Sequence, residues 1–508
     1  MAEEREMGSR QAIKPQLLKN ALFSSGSWGV TVLVNLAAIP VFIRYLGIEG
    51  YGIYLLLTGL FGYFGLLDFG LSDGVVKYVA HHRELGNDDL VMHSVNAALL
   101  AQAIAGLIGI LVLCTFNQRI IHALRVSPSL VHVASTGLYI SAAGFLSKML
   151  LNTYNAALKG LQRFDVLAKT TVGFSLATTI TVVFVLFAGG RLVEVVVVSA
   201  LMTTINLITV VFLLFRFIPH YRLSLQFRRE HFRALFGFGA YTFMTRIAGA
   251  LNTYFLQVVI AVILGAGAVA YFAVPLRVTT ALEAGMASLI GVIFPFVSTL
   301  KARENMESLQ KLYASASRYV VALSAPPFLF LILFSQQILR VWVGPLFAEK
   351  SWLVLVFLAG NSLLAAWTMV PANTAFGTGN TKVTAAFSMI VTGLNLFFSV
   401  VFTIKFGING TAAAVLLTAV QAPIFIWYVT TRVVRVSAKE YFAQVFGFHI
   451  MPAIGFSFLS AGILLSTNAQ SRTGLMLALA SGTALTVAYY SLLLRFRVVS
   501  IGGVGWSG

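Results

Sequence analysis

Three cations and two carboxylates fall inside stretches of this sequence that are otherwise apolar: Lys148, Arg246 and Arg277, with Asp68 and Glu283. A charge at the centre of a bilayer costs about 2.5–3.5 kcal/mol on insertion scales, so such a residue normally faces a polar interior and marks function. With cations in excess, an interior cavity of net positive field would favour an anion. Arginine offers phosphate a planar fork of donors, and lysine a point charge. Structural roles stand beside these. Arg277 and Glu283 could each pair with a neighbouring helix, and Lys148 and Arg246 could snorkel to the interface. Asp68 and Glu283 fit either a carboxylate that couples transport to H+ or Na+ or a partner for a nearby cation. Uncharged polar groups collect at similar depths: Asn35, Asn152, Tyr154, Asn155, Asn252, Tyr254, Gln257, Asn361 and Asn373. Amides and phenols there either bond between helices or line a wet cavity.

The elements that must position these groups follow from composition. Of 508 residues 58% are hydrophobic and only 10% charged, and the mean hydropathy is +0.87. A soluble domain carries about 25% charged residues, so lipid must cover most of this chain. Apolar runs of about 20 residues, the length that spans a bilayer as a helix, number about 14, from 20–43 to 474–495. They include 50–73, the long run 267–297, and 319–338. The fold class expected is an all-α polytopic membrane protein of about 14 transmembrane helices: two six-helix bundles plus two C-terminal helices.

The net charge of +18 reads as the bias that retains Lys and Arg on cytoplasmic loops, not as a nucleic-acid surface. With the N-terminus inside, cytoplasmic segments hold about 24 basic residues and outer loops about eight. An even number of spans then puts both termini in the cytoplasm. The lone cysteine, Cys114, lies in an apolar stretch and reads as a small hydrophobe. The run after the polar N-terminus is too long for a signal-peptide core and reads as an uncleaved first span.

A faint internal repeat is present. Leu46-Gly47 recurs as Leu264-Gly265, and Asn155 and Ala157 recur as Asn373 and Ala375, all at an offset of 218 residues. The offset equals six spans plus one basic loop. It divides the chain into a cytoplasmic tail (1–19), an N-terminal bundle (20–216), a basic linker (217–238), a C-terminal bundle (239–431) and a region of two added helices with a tail (432–508). Repeated bundles are typical of secondary transporters, with the substrate site between them.

Enzymatic signatures are sparse. There is no GxxxxGK[ST] phosphate loop, no HExxH and no paired CxxC, and no cofactor or metal is expected. GLSDG at 70–74 matches GxSxG in letters, but sits at the end of a predicted membrane helix, not on a strand-to-helix elbow. A membrane glycan polymerase or ligase would want a long outer loop, and every predicted loop is about 20 residues or fewer.

The N-terminal third resembles the polysaccharide transporter family of the multidrug/oligosaccharidyl-lipid/polysaccharide flippase superfamily. The residues that carry the resemblance are RYLGIEGYGIYLLL, with Arg44, Leu46, Gly47, Tyr51 and Gly52, and LDFGLSDGVVKYVA, with Asp68, Gly70 and Leu71. NTAFGTGNTKVTAAF looks like the family's turn between spans ten and eleven. The resemblance implies a flippase that moves undecaprenyl-pyrophosphate-linked O-antigen or exopolysaccharide repeat units across the bacterial inner membrane by alternating access. Arg246, Arg277 and Lys148 would attract the pyrophosphate. A lining that includes Asn35, Asn155, Asn252, Tyr254 and Asn373 would accommodate sugar, and the lipid tail would stay in the bilayer. Partners would be membrane lipid, the polyprenyl-pyrophosphate glycan, an H+ or Na+ gradient and the polysaccharide polymerase machinery. The alternatives are a multidrug extruder of the same superfamily, which would want about twelve spans and an acidic cavity, and the membrane glycan polymerase or ligase. The peptidoglycan-precursor flippase carries several arginines in its first two spans, whereas only Arg44 is present here, so no peptidoglycan substrate is assigned.

The orientation is testable. Alkaline phosphatase fused after Gly508 should be inactive, and a green fluorescent protein fused there should fluoresce. The opposite pattern would invert every loop assignment.

Overall fold

The computed structural model describes residues 2–63, 68, 70–218, 254–290, 293–302, 304–466 and 472–495. Arg246, Asn252 and most of the 217–238 linker lie outside them. All regular elements described are helical. The first seven are α1 (Ala2–Tyr63), α2 (Leu71–Glu84), α3 (Asp88–Thr115), α4 (Asn117–Ala123), α5 (Val131–Gly160), α6 (Phe164–Phe187) and α7 (Leu192–Phe217). After the linker come α8 (Leu256–Leu264), α9 (Ala266–Ile290), α10 (Ile293–Ala302), α11 (Met306–Leu333), α12 (Ser335–Trp342), α13 (Pro345–Gly377) and α14 (Thr381–Ala419). The last are α15 (Ala422–Tyr428), a π-helical segment (Val429–Val434), α16 (Ala438–Ser466) and α17 (Arg472–Arg495).

Nine stretches among the described residues are long and apolar enough to cross a membrane. Two of them bend at a glycine, and the longer, at 53 residues, has the length of two spans. Gly29–Gly59 bends at Gly47, and Lys382–Val434 bends at Gly407. Two long helices outside the nine, α5 and α9, carry Lys148 and Arg277, whose polarity lowers the mean. The outward face is apolar, with Phe212 71% and Met451 81% exposed. Such a surface needs lipid, not water, against it.

The chain divides into two compact units, Met1–Ala270 and Tyr271–Gly508, so the division falls within α9. In the first unit α5 is central and packs against α1, α2, α3, α4, α6 and α7. Its buried face (Leu151, Tyr154, Ala157, Leu158) meets Val75 and Val79 of α2, Val91 and Val95 of α3, and Val210 and Leu214 of α7. In the second unit α13 holds the same place, against α10, α11, α12, α14 and α15. The two added helices, α16 and α17, lean on α11. Tyr313 stacks on Tyr441 at 5.0 Å and shares a hydrogen bond with Thr430 at 2.8 Å. Tyr490 donates to the Leu323 carbonyl at 2.7 Å.

Helix ends repeat at the same offset of 218 residues that relates the sequence motifs. Asp88–Thr115 corresponds to Met306–Leu333, and the short helices after them begin at Asn117 and Ser335. Asn87 and Asn305 cap the equivalent helices, accepting from Leu90 N and Ser308 N at 3.0 Å. Gly86 and Glu304 precede these caps in the left-handed region, as do Gly189 and Gly407 at a later equivalent turn.

Two apolar runs divide differently from the sequence reading. The run 319–338 crosses the cap at Phe334: α11 starts earlier, at Met306, and α12 is a separate helix. The polar first turns of α11 still bury Leu309, Tyr313 and Ala316 at helical spacing, which extends the helix beyond its apolar part. The run 50–73 is split between α1 and α2, with Gly70 left-handed at φ 75° at the head of α2.

An N-cap of this kind is worth about 1 kcal/mol. Asn305→Ala should therefore lower the melting temperature of the purified protein, and Asn305→Asp should restore most of the loss.

Candidate functional site

In the C-terminal half of α5 one stripe is less covered than the residues between its members. Lys148, Asn152, Asn155 and Lys159 follow one another at i, i+4, i+7 and i+11, a spacing that aligns them on one side of a helix. The first three are half-buried and Lys159 is exposed, whereas Met149, Leu151, Thr153, Tyr154 and Ala156 to Leu158 are buried. The Asn155 Oδ1 is buried without a hydrogen-bond partner. Among the described residues no carboxylate pairs with Lys148. This stripe is therefore a cationic and amide face held in place by the packing of the opposite side of α5.

Other polar positions named from sequence serve different ends. Asn35 ties α1 to α6: its Oδ1 accepts from Thr179 Oγ1 at 2.6 Å, and its Nδ2 reaches Ser175 Oγ at 3.5 Å. Tyr154 is buried in the helical core. Asn373, the repeat-mate of Asn155, donates back to the Met369 carbonyl at 2.8 Å. Tyr254 and Gln257 are half-buried near the start of the second described stretch.

The two carboxylates differ in their surroundings. Asp68 is 7% exposed. It accepts from the Ser72 amide at 3.2 Å and the Ser72 hydroxyl at 2.6 Å, and from the Gln102 amide of α3. It sits at the head of α2, where the unpaired amides and the helix dipole favour an anion. Gln102 was not singled out from sequence. Its signal was a lone long amide in the middle of the apolar α3, 1% exposed in the fold. Glu283 is half-buried on α9, and the Ser362 hydroxyl of α13 donates to it.

Arg277 lies on α9 with Glu283 and is exposed within its unit. The two are six residues apart and form no pair; no carboxylate among the described residues pairs with Arg277. The intramembrane charges also stand outside the repeat. At the offset of 218, Lys148 corresponds to Ala366, Asp68 to Met286, Arg277 to Gly59 and Glu283 to Gly65. Each charge is therefore present in one half only. Among the described residues no group of three or more His, Cys, Asp or Glu could hold a metal ion.

Fold and site together define a class: a polytopic helical membrane protein whose halves share helix ends at one offset, with Lys148 and Arg277 paired to no carboxylate among the described residues. The sequence matches the model of the polysaccharide biosynthesis protein family over residues 17–301, and the chain belongs to that family. It is 22% identical over 427 residues to a Shigella flexneri protein named as an O-antigen transporter, covering 83% of this chain and 99% of that protein. It is 23% identical over 412 residues to a Haloferax volcanii protein named as the low-salt glycan biosynthesis flippase Agl15, covering 80% and 81%. The solved structure of the lipid II flippase MurJ, in an inward closed conformation, has a TM-score of 0.76 at 15% identity and covers 94% of this chain and 100% of that one. That likeness is one of fold.

The role of Asp68 can be separated from that of Glu283. Asp68→Ala would leave the Gln102 and Ser72 donors unsatisfied, at a cost of about 1–3 kcal/mol. The expected result is a clear fall in thermal stability for Asp68→Ala and a smaller one for Asp68→Asn, which keeps an acceptor oxygen. Equal stability of wild type and Asp68→Ala would contradict an anchoring role.

Proposed function

We propose that this protein is a lipid-linked oligosaccharide flippase, which moves undecaprenyl-pyrophosphate-linked repeat units of a surface polysaccharide across the bacterial inner membrane by alternating access. The observation that carries the reading is that Lys148 and Arg277 lie in membrane spans with no carboxylate partner among the described residues. A cation placed at membrane depth demands an anion, and a pyrophosphate headgroup supplies one. Family membership and the likeness to an O-antigen transporter and a glycan flippase support a glycan-lipid cargo. The Lys148–Asn152–Asn155 face offers amides for sugar hydroxyls next to the cation, and Arg246, outside the described residues, is assigned to the same role from sequence. The two six-helix repeats act as the two rocking bodies, with both termini cytoplasmic.

Glu283 is the better candidate for coupling to an H+ or Na+ gradient. Its described partner is one serine hydroxyl, so gaining or losing a cation disrupts little. Asp68 is committed to the head of α2 and to Gln102. The sign of the intramembrane charge disfavours an extruder of cationic drugs. Association with the polysaccharide polymerase machinery belongs to the same proposal, because the flipped unit must be handed on for polymerisation.

The test is reconstitution in liposomes with a fluorescent polyprenyl-pyrophosphate oligosaccharide. Loss of one charge-assisted contact is worth about tenfold or more in rate, so Lys148→Ala and Arg277→Ala should each slow transbilayer movement by at least that factor. Movement of a neutral lipid control should be unchanged. No movement by wild type, together with efflux of a cationic dye, would overturn the proposal in favour of a drug extruder.

A further inference from the structure

The two repeats contain the same turn. Gly47 (φ 73°, ψ 171°) interrupts α1, and Gly265 (φ 98°, ψ 161°) separates α8 from α9. This backbone region is essentially restricted to glycine. Both turns belong to the first compact unit, and there the helices that leave them cross with almost nothing between. A methyl group on Gly52 would overlap the Ala266 carbonyl, and one on Gly267 would lie 3.6 Å from the Glu49 Cβ.

A third segment, Arg125-Val126-Ser127 between α4 and α5, reaches both turns. Arg125 Nη1 donates to the Ile263 carbonyl at 2.7 Å. That carbonyl is in the last turn of α8, where carbonyls lack helical partners and the dipole attracts a cation. Two residues on, the Ser127 amide donates to Glu49 Oε1 at 2.7 Å, in the first turn after Gly47. Arg125 holds φ 48°, an uncommon left-handed conformation for a residue with a long side chain. Such strain persists where the surroundings over-determine it.

The second repeat lacks each of these groups. At the offset of 218, Arg125 corresponds to Val343, Ser127 to Pro345 and Glu49 to Gly267. The guanidinium, the amide donor and the carboxylate are all gone, Pro345 having no N–H to give. The tie is one-sided, and its guanidinium link is exposed. At Gly52 the crossing is backbone against backbone.

We propose that Arg125 is a latch: its bond to the Ile263 carbonyl holds the Leu-Gly end of the protein closed, and its release lets that end open to the periplasm. Glu49 is a positioning residue that keeps the strap in register through Ser127. The inference rests on the transport reading above for its purpose, but not for its test. Spin labels are placed at Ser129→Cys and Leu264→Cys, both exposed positions, after Cys114→Ser removes the native thiol. Their separation is then read by dipolar EPR without any glycan substrate. The strap as it stands should give one short separation. Arg125→Ala should raise a longer population by about tenfold, the effect of losing one charge-assisted hydrogen bond. Arg125→Gln, which keeps a shorter donor, should fall between, and Glu49→Gln, which keeps the acceptor for Ser127, should leave the separation unchanged. Unchanged separations in both Arg125 variants would overturn the latch and make Arg125 a static tie. A wild type that flips no glycan lipid would sink the flippase reading and leave this result standing.

Discussion

A cation inside a hydrocarbon layer has to be answered by something negative, and the described structure offers no protein carboxylate to Lys148 or Arg277. That imbalance organises the rest. In the C-terminal half of α5 the stripe that carries Lys148 is half-buried where the residues between its members are buried, which on the proposed reading leaves it room to meet an anion. The same imbalance explains why the neighbouring positions are asparagines. Short amides are polar partners that cost less at such a face than a further unpaired charge.

The helix ends and caps recur at one offset, but the charges do not. Caps, left-handed turns and the short helices after α3 and α11 recur at one offset, as expected if two copies of one bundle must pack by the same rules. The charges at 68, 148, 277 and 283 have uncharged counterparts at that offset, and so do Arg125 and Glu49. On the flippase reading proposed above, the repeated scaffold supplies two bodies able to rock, and the unrepeated charges give them different work. On this view one set of residues preserves the fold in both halves, and a second set, present once, carries substrate, coupling ion and closure.

Much of this was legible from the residues. Apolar run length marked the spans, because a bilayer demands about 20 residues of helix, and the Leu-Gly and Asn-x-Ala pairs revealed the repeat. What stayed hidden was direction. In water a polar residue on an amphipathic helix declares which face is outside; in a membrane the exterior is as apolar as the interior, so Asn35, Tyr154 and Asn155 looked alike. The fold separates them: Asn35 bridges to α6, Tyr154 enters the core and Asn155 stays half-buried on the Lys148 stripe with an unpartnered oxygen. Gln102 was invisible for the same reason, since nothing in an apolar run tells that its amide meets Asp68. The helices α4 and α12 were absorbed into flanking runs or loops, because a helix of two turns has too little length for its period to show. Arg125 read as one more basic loop residue until its carbonyl partner was placed.

The central claim is that the intramembrane cations exist to hold a pyrophosphate. The most direct measurement is the affinity of the purified protein for undecaprenyl pyrophosphate against that for undecaprenol, which has the same tail and no charge, in wild type and in the Lys148→Gln, Arg277→Gln double variant. The account predicts that wild type prefers the pyrophosphate by about tenfold or more, and that the preference collapses in the double variant while undecaprenol binding is unchanged. Equal affinity of wild type for the two lipids, or a preference that survives loss of both cations, would contradict it.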